Sequence, residues 1–357
     1  MYKTEINLNT GYPFIIKDLN LKFTVPTYWI NGGSEFLNDF SFKNSLNNIG
    51  EKELILVDVS EDPLNFSEQN TLIKDKRFII ITANPLYSYQ FATQSNSLKK
   101  ICPYKTIFFN KLFMHTKTNY YSKRNNVNYK NLKKKRFLLM SRRDTFYRRL
   151  TNYFVHKFNL FEHGYVSHNR IDEKQSDVDY YLELHKDILG DYDDCHEYSL
   201  KRHYLDNPVS KQNATADFNA YIDYLNHVQF EIVTETVMYS SCMFVSEKIL
   251  KPIIYKKPFI LIGSVNSLKY IQKLGFKTFH PIINEDYDSE NNNVLRLVKL
   301  LKEAKRLCNK SYEELEKDFL SIQDIIEYNY NHFISKDWHF NIQTKVQKYI
   351  NENITNR

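Results

Sequence analysis

Short apolar runs separated by longer polar segments dominate the first third of the chain. The runs are ELILVDVS (53–60), RFIIITAN (77–84) and KTIFFN (105–110). Each has the length of a strand, contains β-branched or aromatic residues, and ends in Asn or Ser. Continuous apolar runs of this kind are typical of strands buried on both faces of a parallel sheet. Because the intervening polar segments are long enough for helices, we predict an α/β arrangement here.

The alternation resumes after a strongly basic segment. Residues 122–136 contain seven basic residues and no acidic one, and we interpret 122–135 as an interdomain linker. The apolar run RFLLM (136–140) predicts the next strand. A helix is predicted after it, because Ser141 and Asp144 form a capping-box pattern before a periodic apolar run.

Two further apolar runs predict strands in the second half. These are VQFEIVTET (228–236) and PFILIG (258–263), and FKTFHP (276–281) predicts another strand end. Residues 165–225 are polar and poorly periodic, so we interpret them as an insertion that contains short helices.

Helices are predicted between and after these strands. SLKYIQKLG predicts a helix that ends with Gly275 in the C′ position. Residues 292–307 are amphipathic, and a further helix begins at Ser311, where Glu314 completes a capping box.

Strand–helix alternation on both sides of a basic linker predicts two Rossmann-like domains that face each other across a cleft. The predicted divisions are an N-terminal α/β domain (1–121), the linker (122–135), a C-terminal α/β domain (136–310) with the insertion 165–225, and C-terminal helices (311–357).

Composition argues against two classes of nucleotide-binding protein, and charge indicates the kind of ligand. The 357 residues include only 8 Gly, and neither G-x-G-x-x-G nor G-x-x-x-x-G-K-[ST] occurs, so glycine-rich dinucleotide and Walker-type phosphate loops are not supported. The charge balance of 49 basic against 42 acidic residues gives +7, which suits anionic ligands such as nucleotides, nucleic acid or acidic glycans.

The cysteines and the hydropathy pattern predict a cytoplasmic protein. The 4 Cys residues lie far apart and form no C-x-x-C pair, so we expect reduced thiols and neither a disulfide framework nor a zinc site. No apolar run approaches the length of a membrane span, and the N-terminus has no apolar signal region.

The segment FVSEKILKPIIYKKPFILIGS (244–264) carries the strongest chemical pattern. Ser246 is predicted to cap a helix whose first turn holds Glu247 and Lys248. Backbone N–H groups and the helix dipole make such a start an anion site. Because a lysine is poorly placed there for helix stability, we expect Lys248 to neutralise a bound phosphate. A solvated Glu–Lys pair is the alternative. Pro252 predicts a kink or restart of the helix.

This arrangement resembles the C-terminal donor-binding domain of α-1,3-fucosyltransferases and related glycosyltransferases of GT-B fold. The matching parts are Phe230–Glu231, Val245–Ile249 and Pro258–Gly263. Residues 245–279 and 136–169 also resemble glycosyltransferase-like proteins of viruses and phages. In the fucosyltransferases an Asn follows Phe-Glu, whereas this chain has Ile232. The identity of the donor sugar is therefore left undecided.

The resemblance implies a role for several residues of the second domain. Lys248 would contact the donor diphosphate, Glu247 the ribose, and Glu231 or Glu235 the donor sugar or nucleoside. The residues implied in donor binding are Arg142, Arg143, Glu231, Glu235, Ser246, Glu247 and Lys248. Arg142 and Arg143 would clamp the pyrophosphate, whereas we expect Arg148 and Arg149 on the solvated face of their helix.

The implied reaction is an inverting, metal-independent transfer of a sugar from a nucleotide-diphosphate donor, with GDP or UDP as the carrier, to a glycan or other acceptor hydroxyl. No cofactor is expected. Such a transfer needs a general base for the acceptor. The candidates, as a group, are Asp58, Glu61 and Asp62, with Glu35 and Asp39 behind them; an ordinary loop acid is the alternative for each.

Two rival interpretations stay open. Asp-x-Asp sequences at 177–179, 191–194 and 286–288 could hold a metal in another glycosyltransferase fold, but all three lie in polar segments and we expect solvated loops. The basic run could bind nucleic acid through phosphate contacts. The chain would then be a nucleic-acid-binding protein on a degenerate glycosyltransferase scaffold, or a DNA-modifying glycosyltransferase.

Overall fold

A computed structural model gives the structure of the chain. It describes five strands between residues 3 and 108 by their backbone, and then mainly residues 135–141, 145–168, 185–189, 218–235 and 248–336. Isolated positions are also described, at 183, 238, 243, 245, 246, 344, 347, 348 and 351.

The first sheet is parallel throughout. Its strands are β1 (Lys3–Ile6), β2 (Thr27–Asn31), β3 (Leu54–Val59), β4 (Arg77–Thr82) and β5 (Tyr104–Phe108), in spatial order of the chain. Leu54 lies opposite Arg77, and Phe78 opposite Tyr104. The parallel strands predicted from the apolar runs at 53–60, 77–84 and 105–110 are therefore confirmed.

The second sheet is also parallel and has four strands. They are β6 (Phe137–Ser141), β7 (Gly164–His168), β8 (Phe230–Thr234) and β9 (Phe259–Ile262), in the order β7-β6-β8-β9. Phe137 is opposite both Gly164 and Phe230. Its ring centroid lies 5.9 Å from that of Phe230, and both side chains are fully buried.

Helices accompany the second sheet along the chain. They are α1 (Phe146–Lys157), α2 (Lys186–Leu189), α3 (Phe218–Asn226), α4 (Leu250–Ile254), α5 (Ser267–Lys273), α6 (Asn293–Cys308), α7 (Tyr312–Ser321) and α8 (Gln323–Ser335). Short 3-10 turns lie at Phe161–His163 and Asp286–Ser289.

The helices pack in two groups. α1 contacts α6 and β7, and α4 contacts α8. α1 connects β6 to β7 towards one edge of the sheet, and α4 connects β8 to β9 towards the other edge. Because crossover connections between parallel strands are right-handed, these two helices lie on opposite faces of the sheet. The residues from 135 to 335 therefore form an α/β fold around a parallel four-stranded sheet, as predicted.

Several local predictions are confirmed. Gly275 follows the last turn of α5 with φ +97°, a left-handed conformation that favours glycine. Ser311 and Glu314 form a reciprocal capping box at the start of α7. The amphipathic segment predicted at 292–307 forms α6, and Asn292 caps this helix by accepting the backbone N–H groups of Val294 and Leu295.

Other local predictions are wrong. Thr145, and not Ser141, caps α1, since its hydroxyl accepts the N–H of Arg148 while Ser141 ends β6. FKTFHP (276–281) forms no strand. The segment interpreted as an insertion begins inside β7, which pairs with β6 over its whole length.

The chain divides into two compact units. One comprises Met1–His115, Ser241–Phe244 and Lys336–Arg357, and the other Thr116–Ser240 and Val245–Ser335. The first sheet belongs to the first unit and the second sheet to the second. The predicted domain boundaries and the cleft between domains stay predictions.

Candidate functional site

The carboxyl ends of β6–β9 lie at one edge of the second sheet because all four strands are parallel. From β6 the chain first adds β7 on one side and later β8 and β9 on the other. The point between β6 and β8 is therefore a topological switch point, where open α/β sheets bind ligands. Ser141 and Thr234 are the last residues of these two strands.

Glu235 follows β8 directly and holds the segment that resembles the donor-binding motif. Its backbone N–H donates to the carbonyl of Ile262 at 2.9 Å, which fixes it to β9. Its side chain is fully buried. Oε1 accepts the backbone N–H of Ser246 at 2.8 Å, and Oε2 accepts the Ser246 hydroxyl at 2.6 Å.

Lys248 belongs to the same cluster. Its Nζ lies 2.9 Å from Ser246 Oγ and 3.5 Å from Glu235 Oε2. The Lys248 side chain is 27% exposed, whereas that of Glu235 is fully buried, so the ion pair lies at the boundary between the interior and solvent. Of the predicted donor-binding residues, the structure brings Glu235, Ser246 and Lys248 together.

The predicted helix start at Ser246 is wrong. α4 begins at Leu250, and its N-cap Ile249 makes no side-chain capping bond. The Ser246 oxygen accepts the backbone N–H of Lys248 at 3.3 Å, and its hydroxyl donates to the carboxylate of Glu235, a partner eleven positions earlier. Pro252 falls in the first turn of α4, where an intrahelical N–H is not needed, so the helix begins beside the proline, in line with the predicted restart.

Arg148 is buried and not solvated as expected. Only 4% of the residue is exposed, and its Nη2 donates to the carbonyl oxygen of Thr234 at 3.3 Å. Arg149 is buried as well. α1 packs against β7 and α6, and α6 also contacts β9, so the helix is covered on more than one side. The guanidinium of Arg148 therefore adds positive charge at the end of β8.

Arg296 in α6 contributes a second buried guanidinium. Its Nε donates to the carbonyl of Gly263 at 3.1 Å, and its Nη2 to that of Met238 at 2.8 Å. A third bond joins Nη1 to the carbonyl of Glu290 at 2.6 Å. Burial lowers the pKa of Arg296 from its usual value. The residue thus connects the segments that follow β8 and β9.

Sequence analysis missed Arg296. Its position on the helix was the available clue, because it lies among apolar residues that form the buried stripe of α6, next to Leu297. An arginine on such a stripe needs polar partners inside the protein.

Two hydroxyl groups at the switch point are buried without a hydrogen-bond partner. These are Ser141 Oγ and Thr234 Oγ1. Leaving a buried hydroxyl unsatisfied costs about 1–3 kcal/mol. The carboxyl edge therefore holds unmet hydrogen-bonding capacity beside its cationic groups.

Glu231 lies away from this edge. It is the second residue of β8, and its buried carboxylate accepts the hydroxyl of Tyr221 at 2.7 Å. Burial raises the pKa of Glu231 to about 7, against the opposing effects of Tyr221 and the charge of Lys251. The structure does not bring Glu231 to the Glu235 cluster.

Most of the remaining predicted site residues lie outside the described part of the chain. Arg142, Arg143 and Glu247 lie outside the described residues, as do Glu61 and Asp62. Glu35 and Asp39 also lie outside them. Asp58 is the penultimate residue of β3 by its backbone, opposite Asn31 and Ile81.

The third Asp-x-Asp sequence has a structural role and is not a solvated loop. The carboxylate of Asp288 accepts the backbone N–H groups of Leu268 and Lys269 and so caps α5. The sequences at 177–179 and 191–194 lie outside the described residues. In the described part of the chain, no group of three or more His, Cys, Asp or Glu residues could hold a metal ion.

Comparisons with known proteins leave the family open. No protein-family model matches the chain, and no curated protein matches it significantly. Within the described ranges, no helix has the length and apolar character needed to cross a bilayer.

Proposed function

We propose that the chain is a glycosyltransferase that transfers a sugar from a nucleotide-diphosphate donor to an acceptor hydroxyl. The donor binds at the carboxyl edge of the second sheet, at the switch point between β6 and β8. The transfer is inverting and the fold is of GT-B type. GDP- and UDP-linked sugars are the first donors to test, including a fucose donor.

The concentration of cationic side chains at this edge carries the proposal. Arg148 binds a carbonyl at the end of β8, Arg296 binds one after β9, and Lys248 pairs with Glu235. The two arginines are 96% or more buried, so they act through the potential that they create and not by direct contact. Lys248 is the member of the set that reaches solvent.

This arrangement suits a leaving nucleoside diphosphate. As the glycosidic bond breaks, negative charge develops on the diphosphate, and preorganised cations stabilise that charge without reorganisation. A charge-assisted hydrogen bond from the Lys248 ammonium would be the direct contact. Fixed positive charge at a sheet edge also raises the local concentration of an anionic donor.

The acceptor hydroxyl needs a general base from elsewhere in the chain. The group Asp58, Glu61 and Asp62 is the proposed source, since Asp58 lies at the carboxyl end of a parallel strand. In an inverting transfer the base takes the hydroxyl proton as the oxygen attacks the anomeric carbon and the diphosphate departs.

A thermal-shift panel tests the donor class. The panel contains GDP, UDP, dTDP, CDP, ADP and their common sugar conjugates, each with and without Mg²⁺. A ligand at 100 times its Kd stabilises the folded state by about 2.7 kcal/mol, which is measurable. A response to one nucleotide is expected. Folded protein that responds to none of them, but binds DNA or RNA in a salt-dependent way, would favour the nucleic-acid-binding scaffold.

Lys248→Ala tests the site itself. We expect the affinity for the responding nucleotide to fall at least tenfold, because the exposed ammonium is lost, while the far-UV spectrum is retained. Lys302→Ala is the matched control, since Lys302 is an exposed lysine of α6. Unchanged nucleotide affinity in Lys248→Ala would refute the proposed donor site.

A further inference from the structure

Glu235 has an arrangement that differs from the role implied by the resemblance. A residue that contacts the donor sugar would direct a carboxylate oxygen towards the ligand. Both oxygens of Glu235 are instead bound to protein, one to the backbone N–H of Ser246 and the other to its hydroxyl. We propose that Glu235 is a positioning residue that acts through Ser246 to fix the ammonium group of Lys248.

The hydrogen-bonding capacity of Ser246 explains the connection. Its hydroxyl proton is donated to Glu235 Oε2. Its oxygen accepts from the Lys248 ammonium at 2.9 Å and from the Lys248 backbone N–H at 3.3 Å. A hydroxyl has one donor and two acceptor sites, so these contacts use all of them. Ser246 is therefore oriented by Glu235 and in turn orients Lys248.

Burial makes this arrangement rigid. The Glu235 side chain and Ser246 are completely buried, and a buried carboxylate is stable only where hydrogen bonds and charge compensate its lost hydration. The backbone N–H of Glu235 is bound to β9, so the carboxylate is fixed relative to the sheet. The two bonds from Ser246 to this carboxylate therefore fix Ser246, which contacts Lys248, relative to the sheet as well.

The consequence for ligand binding is preorganisation. A lysine side chain loses much rotamer freedom when it binds a phosphate. If the ammonium is already held, less freedom is lost on binding. This part of the inference rests on the proposed function, because it takes the ligand to be a diphosphate that contacts Lys248.

Glu235→Gln is the decisive variant in the full-length chain. Gln keeps an acceptor for the Ser246 N–H but places an NH₂ group where the hydroxyl now donates, so the connection to Lys248 is broken. Inorganic pyrophosphate, titrated by calorimetry, is the probe for the diphosphate subsite. We expect about tenfold weaker binding in Glu235→Gln, and a similar loss in Ser246→Ala, which removes the connecting hydroxyl.

The double variant separates positioning from general structural support. If Glu235 acts through Lys248, Glu235→Gln added to Lys248→Ala leaves pyrophosphate affinity where Lys248→Ala alone has it. If the two losses instead multiply, Glu235 does not act through Lys248 and the proposal is overturned. Circular dichroism of every variant establishes that each one is folded.

If the wild-type protein binds no diphosphate, the proposed function is refuted, but the positioning role of Glu235 is not. A measurement that needs no ligand tests that role separately. An ammonium that is held by hydrogen bonds inside the protein must break them before it reacts, and so it reacts more slowly with acetic anhydride. We expect acetylation of Lys248 to rise about threefold or more in Glu235→Gln, relative to Lys302 in the same sample. Equal relative rates in the two proteins would overturn the positioning role.

Discussion

Glu231→Gln is the perturbation with the most specific expected result. Glu231 lies inside the second sheet, where burial raises the pKa of its carboxyl from 4.5 to about 7. The hydroxyl of Tyr221 donates to it at 2.7 Å, and Gln offers the same acceptor oxygen. The substitution therefore removes the titration of the carboxyl while it retains the size of the side chain and its hydrogen bond.

The sign of the effect follows from proton uptake. Below about pH 4.5 the group carries its proton in both the folded and the unfolded chain. Between 4.5 and 7 the unfolded chain loses the proton and the folded chain keeps it, so folding takes up a proton and the free energy of unfolding falls as the pH rises. Above pH 7 the loss is complete. The difference of about 2.5 pKa units corresponds to about 3 kcal/mol.

Urea unfolding followed by circular dichroism at pH 4.5, 6 and 8 measures this contribution. We expect the stability of Glu231→Gln relative to wild type to rise by about 3 kcal/mol from pH 4.5 to pH 8. Burial likewise raises the pKa of Glu285 to about 7 and that of Asp288 above its usual value, so wild type alone would mix several contributions, whereas the difference isolates Glu231. Glu316→Gln, at an exposed position of α7, is the control. A difference that does not change with pH would refute the reasoning.

Two further substitutions test the second sheet. Thr234→Val removes a buried hydroxyl that has no hydrogen-bond partner, so we expect thermal unfolding at an unchanged or slightly higher temperature; a loss above about 1 kcal/mol would show that the hydroxyl is bonded. Gly164→Ala places a Cβ 2.3 Å from the fully buried ring of Phe137. The backbone φ of −125° accepts alanine, so the clash alone should cost about 1–3 kcal/mol in urea unfolding, and unchanged stability would contradict the pairing of β6 with β7.

The elements that were predicted correctly are those whose causes are local. A run such as RFIIIT (77–82) is apolar at nearly every position, and a parallel strand with two buried faces accepts that pattern. The capping box of Ser311 and Glu314 lies within four consecutive residues, so its hydrogen bonds could be inferred from spacing. Gly275 likewise needs only the preceding helix to explain its left-handed φ.

β7 could not be predicted because its sequence lacks a local pattern. GYVSH (164–168) mixes polar and apolar residues and stands at the start of a long polar segment. It is buried because β6 and α1 cover it, and neither neighbour is visible in the five residues themselves. Gly164 gives the clearest clue in retrospect, since the ring of Phe137 occupies the space that a side chain would need.

The bonding of Ser246 is only partly local. Ser246 followed by Glu and Lys satisfies the local rules for a helix cap, which predict that its oxygen accepts a backbone N–H of the next residues, and it accepts that of Lys248 at 3.3 Å. The hydroxyl of Ser246 also donates to the buried carboxylate of Glu235, a partner eleven positions earlier that the local pattern cannot show. The helix α4 itself begins at Leu250.

The same argument applies to the charge of the candidate site. Arg148 and Arg296 bind carbonyls that are 86 and 33 positions away, so sequence spacing cannot relate either residue to the segment at 245–249. That segment contributes a lysine, but the positive potential around the edge also depends on these two arginines in α1 and α6. A chain that kept Glu247 and Lys248 and lost the arginines would retain the local pattern but lose much of the positive charge on which the proposed anion site depends. The arginines, more than the short motif, therefore support the proposed diphosphate site over a solvated Glu–Lys pair.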